Sequence, residues 1–370
     1  MTSDYLVVGS GLTGAVIARI LTDAGRDVVV LERRPHIGGN VHDHDHPSGI
    51  RIHTYGPHYF RTGSETIWTF VSRFDSFYPY SASLMSVVEG RLERWPVQQS
   101  YIDRVAGPDW KPDFYGVPAN FEEASLRLMP RVVYEKFVKG YTEKQWGVDA
   151  TKLDAVLAAR FDVRSDGDHR LKKHRYQGIP SKGYHAWMQN MLRGIPVITD
   201  CDYLHRNPDF RARRMTFFSG PVDEFFDFRL GRLQYRSMRR VHHFHPGVEF
   251  VQPCAQVNNP DPANGATVRT IEWKHMMPEA CARSIAGSVL TTEEPFTPVS
   301  PEQYEYPFPS AENRNLHERY AALAANLDNV TFCGRLGKYR YYDMDQAIGS
   351  AMRLATGICG MPQGGMEPGA

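Results

Sequence analysis

Short apolar runs separated by helical stretches mark both ends of the chain. Residues 4–8 and 27–31 are apolar and rich in β-branched side chains, and residues 15–24 between them have the length and composition of a helix. Near the other end, an apolar run at 330–333 precedes a stretch through residue 354 that predicts another helix. Strands that alternate with helices are typical of α/β folds, so we expect one here.

The middle of the chain follows other patterns. Residues 86–97 predict a hairpin that turns at Glu89-Gly90, and residues 121–139 are loosely helical with an interruption at Pro130. Residues 185–192 predict a helix before a short strand at 197–198. From 216 to 257, and again at 267–275, polar positions alternate with aromatic and β-branched ones, which is typical of antiparallel sheet. Residues 162–175 are charged and predict a mobile loop, and the Gly/Pro-rich residues 362–370 predict a disordered tail.

A glycine motif links the first strand to the first helix. Gly9, Gly11 and Gly14 form G-x-G-x-x-G at the position where a dinucleotide-binding unit places its phosphate turn. The second strand ends at Glu32, about 20 residues later, where a carboxylate can accept a hydrogen bond from a ribose hydroxyl. We expect the pyrophosphate to face the helix N-terminus.

The residues after Glu32 favour a flavin over a nicotinamide. Arg33 is followed by a second glycine pair, Gly38-Gly39, and by Asn40. This extension resembles the one in FAD-binding proteins of the glutathione reductase and amine oxidase type, where the extra glycines let the backbone approach the phosphates. We therefore expect FAD, with NAD as the alternative.

Composition limits the partners and the compartment. With 43 Lys and Arg against 42 Asp and Glu, the charge balance does not indicate a nucleic-acid or acidic-membrane partner. No apolar run approaches the about 18 residues of a membrane span. Because the first strand begins so early in the sequence, we expect no signal peptide. We expect a soluble cytoplasmic protein whose five scattered cysteines are buried free thiols: Cys201, Cys254, Cys281, Cys333 and Cys359.

Histidines and aspartates are concentrated shortly after the second glycine pair. Their spacing is irregular and brackets Pro47-Ser48-Gly49, which is typical of a solvated turn rather than of a metal site. We therefore expect no metal at this group: His42, Asp43, His44, Asp45, His46 and His53.

Two later segments carry candidate ligand-binding residues. Tyr141 and Trp146 flank a polar turn and could stack on a nucleobase, although an aromatic pair buried at a helix end fits the same pattern. Arg269 on a predicted strand could bind a phosphate or simply face solvent. A third segment, residues 55–62, predicts a loop near a ligand.

Six motifs together resemble one family, the bacterial UDP-galactopyranose mutases. They are Y-G-P-H-x-F from residue 55, G-Y-T-E-K-Q-W-G from 140, Y-Q-G-I-P-x-x-G-Y from 176, F-D-F-R-x-G-x-L-x-Y-R-S from 226, R-x-I-E-W-K-H from 269 and G-R-L-x-x-Y-R-Y-x-D-M-D from 334. The resemblance extends over residues 5–355. It implies a flavoenzyme that interconverts pyranose and furanose forms of a nucleotide-linked galactose, in the pathway of galactofuranose for cell-wall or natural-product sugars.

The resemblance also implies a domain organisation. A discontinuous Rossmann-like FAD-binding domain would comprise residues 1–65, 176–215 and 326–361. A mostly helical domain would comprise 66–84 and 98–175, with a mobile loop near 153–175, and an antiparallel β-sheet domain would comprise 85–97 and 216–325. A homodimer is expected.

The implied chemistry uses reduced FAD as a covalent nucleophile through its N5 atom, without net redox, and an external reductant such as NAD(P)H. Arg160 and Arg269 match the family arginines that clamp the diphosphate, and Tyr306 and Tyr341 match tyrosines that bind its oxygens. Matches near the flavin and sugar are His58, Asp343 and Arg335. Further implied contacts are Tyr55 and Met344 to the cofactor and Gln98, Tyr141 and Trp146 to the substrate.

Three positions depart from the family pattern. Leu171 stands where the mobile loop has a tyrosine, Arg61 where the Y-G-P-H motif is followed by a second histidine, and Gln98 where the hairpin ends in asparagine. They leave open whether the substrate is UDP-galactopyranose or another nucleotide sugar, such as a GDP-hexose. An amine-oxidase-like FAD oxidoreductase and a non-catalytic flavin- or nucleotide-binding protein are the alternative functions.

Overall fold

A computed structural model describes residues 1–161, 163–206 and 209–360. The predicted tail at 362–370 lies outside the described residues, as does Asp162 of the predicted loop. Within them, no helix has both the length and the apolar character needed to cross a membrane.

A parallel sheet contains both ends of the chain. Its five described strands lie in the order β12-β2-β1-β13-β19, and every neighbouring pair is parallel. Helix α1 follows β1 directly, and α13 packs against α1. The strands are β1 (Thr2–Val8), β2 (Val28–Leu31), β12 (Val197–Ile198), β13 (Arg211–Phe218) and β19 (Val330–Phe332), and the helices are α1 (Leu12–Asp23) and α13 (Met344–Cys359). This confirms the predicted α/β, Rossmann-like unit.

Two details of this unit differ from the sequence prediction. Helix α1 begins at Leu12 rather than at residue 15, because Gly11 is already its N-cap. Residues 216–218 were predicted to open the antiparallel sheet domain, but Thr216 to Phe218 pair in parallel with β1 and β19. These residues form the buried end of a parallel strand and do not begin the antiparallel sheet, so the predicted domain boundary at 216 is wrong. The other domain boundaries stay predictions.

A larger sheet forms a second layer. Its seven described strands lie in the order β18-β14-β17-β16-β15-β7-β8, and all pairs are antiparallel except β15 with β7. The predicted hairpin is confirmed as β7 and β8 with its turn at Glu89-Gly90. The strands are β7 (Leu84–Val88), β8 (Arg91–Trp95), β14 (Tyr235–His245), β15 (Gln256–Asn258), β16 (Arg269–Glu272), β17 (Ser288–Phe296) and β18 (Tyr306–Pro307).

Short helices pack around a separate apolar core against the hairpin. Pro130 interrupts this helical segment as predicted: α4 ends at Leu126, and the next helix begins after Pro130. The segment contains α3 (Gln99–Ala106), α4 (Phe121–Leu126), α5 (Arg131–Val133), a π-helical stretch Tyr134–Lys139, α6 (Gly140–Trp146) and 3-10 turns at Ala150–Lys152 and Ala155–Arg160.

The remaining elements connect these layers. The short strands are β3 (Asp43–Asp45), β4 (Arg51–His53), β5 (Phe60–Thr62), β6 (Phe77–Pro79), β9 (Val97–Gln98), β10 (Val163–Arg164) and β11 (Tyr176–Pro180). The helices are α2 (Glu65–Val71), α7 (Tyr184–Met191), α8 (Tyr203–Arg206), α9 (Val222–Phe225), α10 (Glu279–Arg283), α11 (Ala311–Ala324) and α12 (Gly334–Gly337).

The group of histidines and aspartates forms a small hairpin, β3 with β4. Asp43 accepts hydrogen bonds from the backbone N–H groups of Tyr184 and His185, so it caps the start of α7. The described residues contain no group of three or more His, Cys, Asp or Glu side chains arranged to hold a metal ion. The cysteines are free thiols, but Cys281 is exposed and only Cys201 and Cys333 are buried.

Candidate active site

An open cavity of about 1190 Å³, a volume that includes space open to solvent, lies where the carboxyl ends of β1, β2 and β13 meet the N-termini of α1 and α13. This is where open α/β sheets bind their ligands. The predicted cofactor residues that line it are Gly9, Gly11, Gly14, Glu32, Arg33, Gly38, Gly39, Asn40, Arg335, Asp343 and Met344.

The glycines leave room that side chains would fill. A Cβ on Gly39 would lie 2.9 Å from the Cα of Gly11, and Gly39 has a φ of +54°. A Cβ on Gly14 would lie 1.9 Å from the carbonyl oxygen of Gly9, so that position requires glycine for helix packing. Two backbone segments therefore approach each other at one wall of the cavity, as a pyrophosphate-binding turn requires, and the residues fit a dinucleotide.

Glu32 is buried at the end of β2. One of its oxygens accepts hydrogen bonds from the backbone N–H and hydroxyl of Ser10, at 2.8 and 2.7 Å, and the other accepts one from the Arg34 N–H. These bonds fix the carboxylate at the cavity wall. The predicted contact with a ribose hydroxyl stays a prediction.

Two other predicted cofactor residues have protein partners. Arg33 lines the cavity and forms an ion pair with Glu224 at 3.0 Å. Tyr55 does not line it: its hydroxyl lies 2.9 Å from Nε2 of His36, and the guanidinium of Arg34 lies 4.3 Å from its ring centre. Tyr55 thus contacts two residues, Arg34 and His36, of the segment that precedes Gly38.

His58 lies at the same cavity, in the loop after β4. Its Nδ1 is 2.7 Å from the carbonyl oxygen of Gly56, and its backbone N–H donates to Nδ1 of His53. Burial, followed by the charge of Arg335, lowers the pKa of His58 to about 3. The imidazole is therefore neutral at physiological pH, with its proton on Nδ1, so that Nε2 is a hydrogen-bond acceptor.

A second open cavity of about 1000 Å³, again counting space open to solvent, lies between the larger sheet and the helical segment. The predicted substrate residues that line it are Tyr141, Trp146, Arg160, Arg269, Tyr306 and Tyr341. Residues that are far apart in the chain therefore share one site.

Aromatic rings and guanidinium groups alternate where this second cavity approaches the first. Tyr306 and Tyr341 stack with ring centres 5.8 Å apart. Arg160 lies 3.9 Å from the ring centre of Tyr341, and Arg335, which lines the first cavity, lies 4.9 Å from it. This cluster places fixed positive charge at the junction of the two cavities.

Asp343 caps α13 and lies beside the same junction. Its carboxylate forms a 2.9 Å ion pair with Arg61, one of the three residues that depart from the family pattern. Burial raises the pKa of Asp343, but Arg61 and Arg160 more than offset this, so the net pKa is lowered. Asp343 is therefore an anion, and Arg61 is engaged with it.

The other two departures differ in location. Leu171 lines the second cavity, whereas Gln98 does not. The amide of Gln98 donates to the backbone oxygens of Pro96 and Asp168, which ties the hairpin to the predicted loop. The predicted contact between Gln98 and the substrate has no support from this position.

Sequence reasoning missed several polar residues at the sites. Gln256 and Asn258 line the second cavity, and Ser219 lines the first. A buried ion-pair network of Arg240, Glu293 and Glu305 was missed as well. The sequence signal for these residues was weak: polar side chains occupy positions on predicted strands where the alternating pattern would place apolar ones.

Comparisons with known proteins agree with this geometry. Residues 136–341 match the UDP-galactopyranose mutase family model, and residues 7–74 match an NAD(P)-binding Rossmann-like domain model. A probable UDP-galactopyranose mutase from Klebsiella pneumoniae is 33% identical over 95% of this chain and 94% of its own length. A dTDP-fucopyranose mutase from Escherichia coli is 31% identical over 95% of this chain and 97% of its own length.

Among solved structures, the crystal structure of a reduced UDP-galactopyranose mutase superposes with a TM-score of 0.75. It covers 97% of this chain and 94% of the other at 14% identity, which shows a shared fold. The family model covers more than half of the chain and the relatives cover nearly all of it. The chain therefore belongs to the UDP-galactopyranose mutase family.

Proposed function

We propose that this protein is a flavin-dependent mutase that interconverts the pyranose and furanose forms of a nucleoside-diphosphate hexose. The observation that carries the proposal is the junction of the two cavities, where a glycine cradle for a dinucleotide meets a cluster of guanidinium groups and tyrosines. Neither cavity alone would indicate this reaction. Membership of the mutase family supports it.

FAD is the proposed cofactor. Gly9, Gly11, Gly38 and Gly39 would hold its pyrophosphate, and Glu32 its ribose. Bound in its reduced form, FAD would supply a nucleophilic N5 to the anomeric carbon and carry no net electrons away.

The arginines would stabilise the departing diphosphate. Arg160 and Arg269 line the same cavity, where Arg160 is exposed and the Arg269 side chain is 15% exposed. Burial lowers the pKa of Arg160, but Tyr341 and Asp343 more than offset it, so the guanidinium stays charged. Once bound substrate excludes water from these guanidinium groups, their charge would stabilise the leaving group by several kcal/mol more than in water, because less solvent must reorganise.

The aromatic residues would orient the nucleotide. Tyr306 and Tyr341 line the same cavity as Arg160 and Arg269, and their hydroxyl groups would donate to phosphate oxygens there. Tyr141 would offer a flat face for a base at the same cavity. Trp146 is only 7% exposed and packs edge-on against Phe308, which fits an aromatic ring buried at the end of α6. His58 would contribute a neutral Nε2 that accepts a proton or a hydrogen bond at the cofactor side.

The identity of the sugar is a finer proposal. UDP-galactopyranose is the leading candidate, and the dTDP-fucopyranose mutase relative adds a 6-deoxyhexose to consider beside a GDP-hexose. The predicted NAD(P)H reductant and homodimer stay predictions.

One experiment tests the proposal. The purified protein is incubated, oxidised or reduced with dithionite, with UDP-galactopyranose, dTDP-fucopyranose or a GDP-hexose, and the products are separated by chromatography. We expect a furanose product from at least one sugar and only with reduced protein. If no nucleotide sugar yields a furanose, the proposed function is wrong. Peroxide formation from an amine, insensitive to Arg160→Ala, would support the oxidase alternative.

A further inference from the structure

A row of polar side chains crosses the larger sheet beneath the second cavity. Arg240 lies opposite Glu293 on neighbouring strands, Glu293 lies opposite Arg269, and Arg269 lies opposite Asn258. Residues directly opposite one another in a sheet present their side chains on the same face. The row therefore runs along the sheet from its interior to the cavity that Arg269 and Asn258 line.

Glu293 joins two guanidinium groups. Nε of Arg269 donates to its Oε2, and Nε of Arg240 donates to its Oε1 at 2.8 Å. The Glu293 side chain is 0% exposed. Burial raises the pKa of Glu293, but Arg269 and Arg240 more than offset it, so the net pKa is lowered and the carboxylate is charged.

Arg240 is in turn fixed on its other side. Both of its terminal nitrogens donate to Glu305, each at 2.8 Å, and Glu305 also accepts from the hydroxyl of Ser237. This fork geometry allows Arg240 little freedom. Glu293 is thus held in place by a residue that does not reach the second cavity.

The guanidinium of Arg269 is fixed through its Nε atom. Within the described residues, its two terminal nitrogens, Nη1 and Nη2, have no hydrogen-bond partner, while its Nε is bonded to Glu293. A guanidinium fixed through Nε presents both terminal nitrogens in one plane, which matches two oxygens of a phosphate.

The loop with His58 is shaped to leave room for this row. Gly56 has a φ of +92°, and a Cβ there would lie 2.9 Å from Oε1 of Glu293 and 3.2 Å from Nη2 of Arg240. The glycine of the Y-G-P-H motif is therefore in contact with the ion-pair network.

We propose that Glu293, held by Arg240, is a positioning residue that aims Arg269 at the substrate diphosphate. This inference rests on the proposed function, since it requires that Arg269 binds a nucleoside diphosphate. Glu293 acts through Arg269 and does not touch the substrate. Its effect on binding should therefore disappear when Arg269 is absent.

A double-mutant cycle with UDP as the probe tests this. The dissociation constant of UDP is measured calorimetrically for the flavin-loaded wild type, E293Q, R269A and the double variant. We expect E293Q to weaken binding about tenfold, the size of one charge-assisted hydrogen bond, R269A to weaken it at least as much, and the double variant to match R269A. Wild-type affinity in E293Q, or losses that multiply in the double variant, would overturn the inference.

The chain offers a matched control and a second variant. Glu294 is the next residue on the same strand and faces away from the row, so E294Q should bind UDP like the wild type. If E293Q fails to fold, G56A must weaken UDP binding while retaining the flavin spectrum; unchanged UDP affinity in G56A then overturns the inference. A wild type that binds no nucleoside diphosphate contradicts the proposed function instead.

Discussion

Replacing Gly39 by alanine should weaken cofactor binding through one contact. The added Cβ would lie 2.9 Å from the Cα of Gly11, closer than such atoms approach in proteins. Gly11 and Gly39 belong to the two backbone segments that form one wall of the first cavity. To relieve the contact, the two segments must move apart, which changes the shape of the wall that we assign to the pyrophosphate.

The free-energy cost of Gly39→Ala has two parts, backbone strain and overpacking. A non-glycine residue in the left-handed region, such as alanine at a φ of +54°, costs about 1–2 kcal/mol. Overpacking costs about 1–3 kcal/mol. The backbone strain is present with and without cofactor and cancels in the affinity, whereas the displaced wall affects only the bound state. FAD affinity should therefore fall by about 5- to 150-fold, the equivalent of 1–3 kcal/mol.

Gly25 provides the matched control. It also has a positive φ, +72°, but a Cβ there would have nothing within 4 Å. Gly25→Ala should thus lower the free energy of unfolding by about 1–2 kcal/mol and leave FAD affinity unchanged.

The assay is titration of deflavinated protein with FAD, followed by quenching of flavin fluorescence. If Gly39→Ala binds FAD as tightly as the wild type, the first cavity does not hold the pyrophosphate at this wall. Equal losses in Gly39→Ala and Gly25→Ala would mean that general backbone strain, and not the contact with Gly11, is responsible.

Three further predictions concern charge and helix capping. Arg160→Ala should lower kcat/KM by about 10²- to 10³-fold with an unchanged flavin spectrum, because it removes charge that faces the leaving group. A kcat/KM within about twofold of the wild-type value, measured by steady-state kinetics, would contradict this. Burial lowers the pKa of His53 and His58 below 6.5, so the unfolded chain takes up protons that the folded one does not as pH falls from 6.5. The free energy of unfolding, measured with urea, should thus fall by about 1.4 kcal/mol per pH unit for each of them below pH 6.5, and His58→Asn should show a shallower slope. Asp43→Ala should lower the free energy of unfolding, measured by thermal unfolding, by about 1–2 kcal/mol, because the first N–H groups of α7 lose their acceptor. If added zinc raises the melting temperature of the wild type, the capping role of Asp43 is contradicted.

Local patterns in the sequence were sufficient for several elements. The glycine turn, the hairpin at Glu89-Gly90 and the helix interruption at Pro130 each depend on the conformational needs of a few adjacent residues. The same holds for the second glycine pair, since Gly38 and Gly39 both have positive φ.

Other features depend on pairing between distant segments. Residues 216–218 belong to the parallel sheet because they pair with β1 about 210 positions earlier, which no local pattern reveals. Gln98 ends beside backbone oxygens instead of the second cavity, and Arg61 pairs with Asp343 across 282 positions.

The sequence by itself determined the cofactor-binding turn, the α/β class and, through six motifs in order, the family. Only the tertiary structure decided that Arg240, Glu293 and Arg269 form one row, and that this row meets the glycine of the Y-G-P-H motif. The reason is physical: backbone conformation is set by neighbouring residues, whereas a buried charge is tolerated only where the fold brings opposite charges to it.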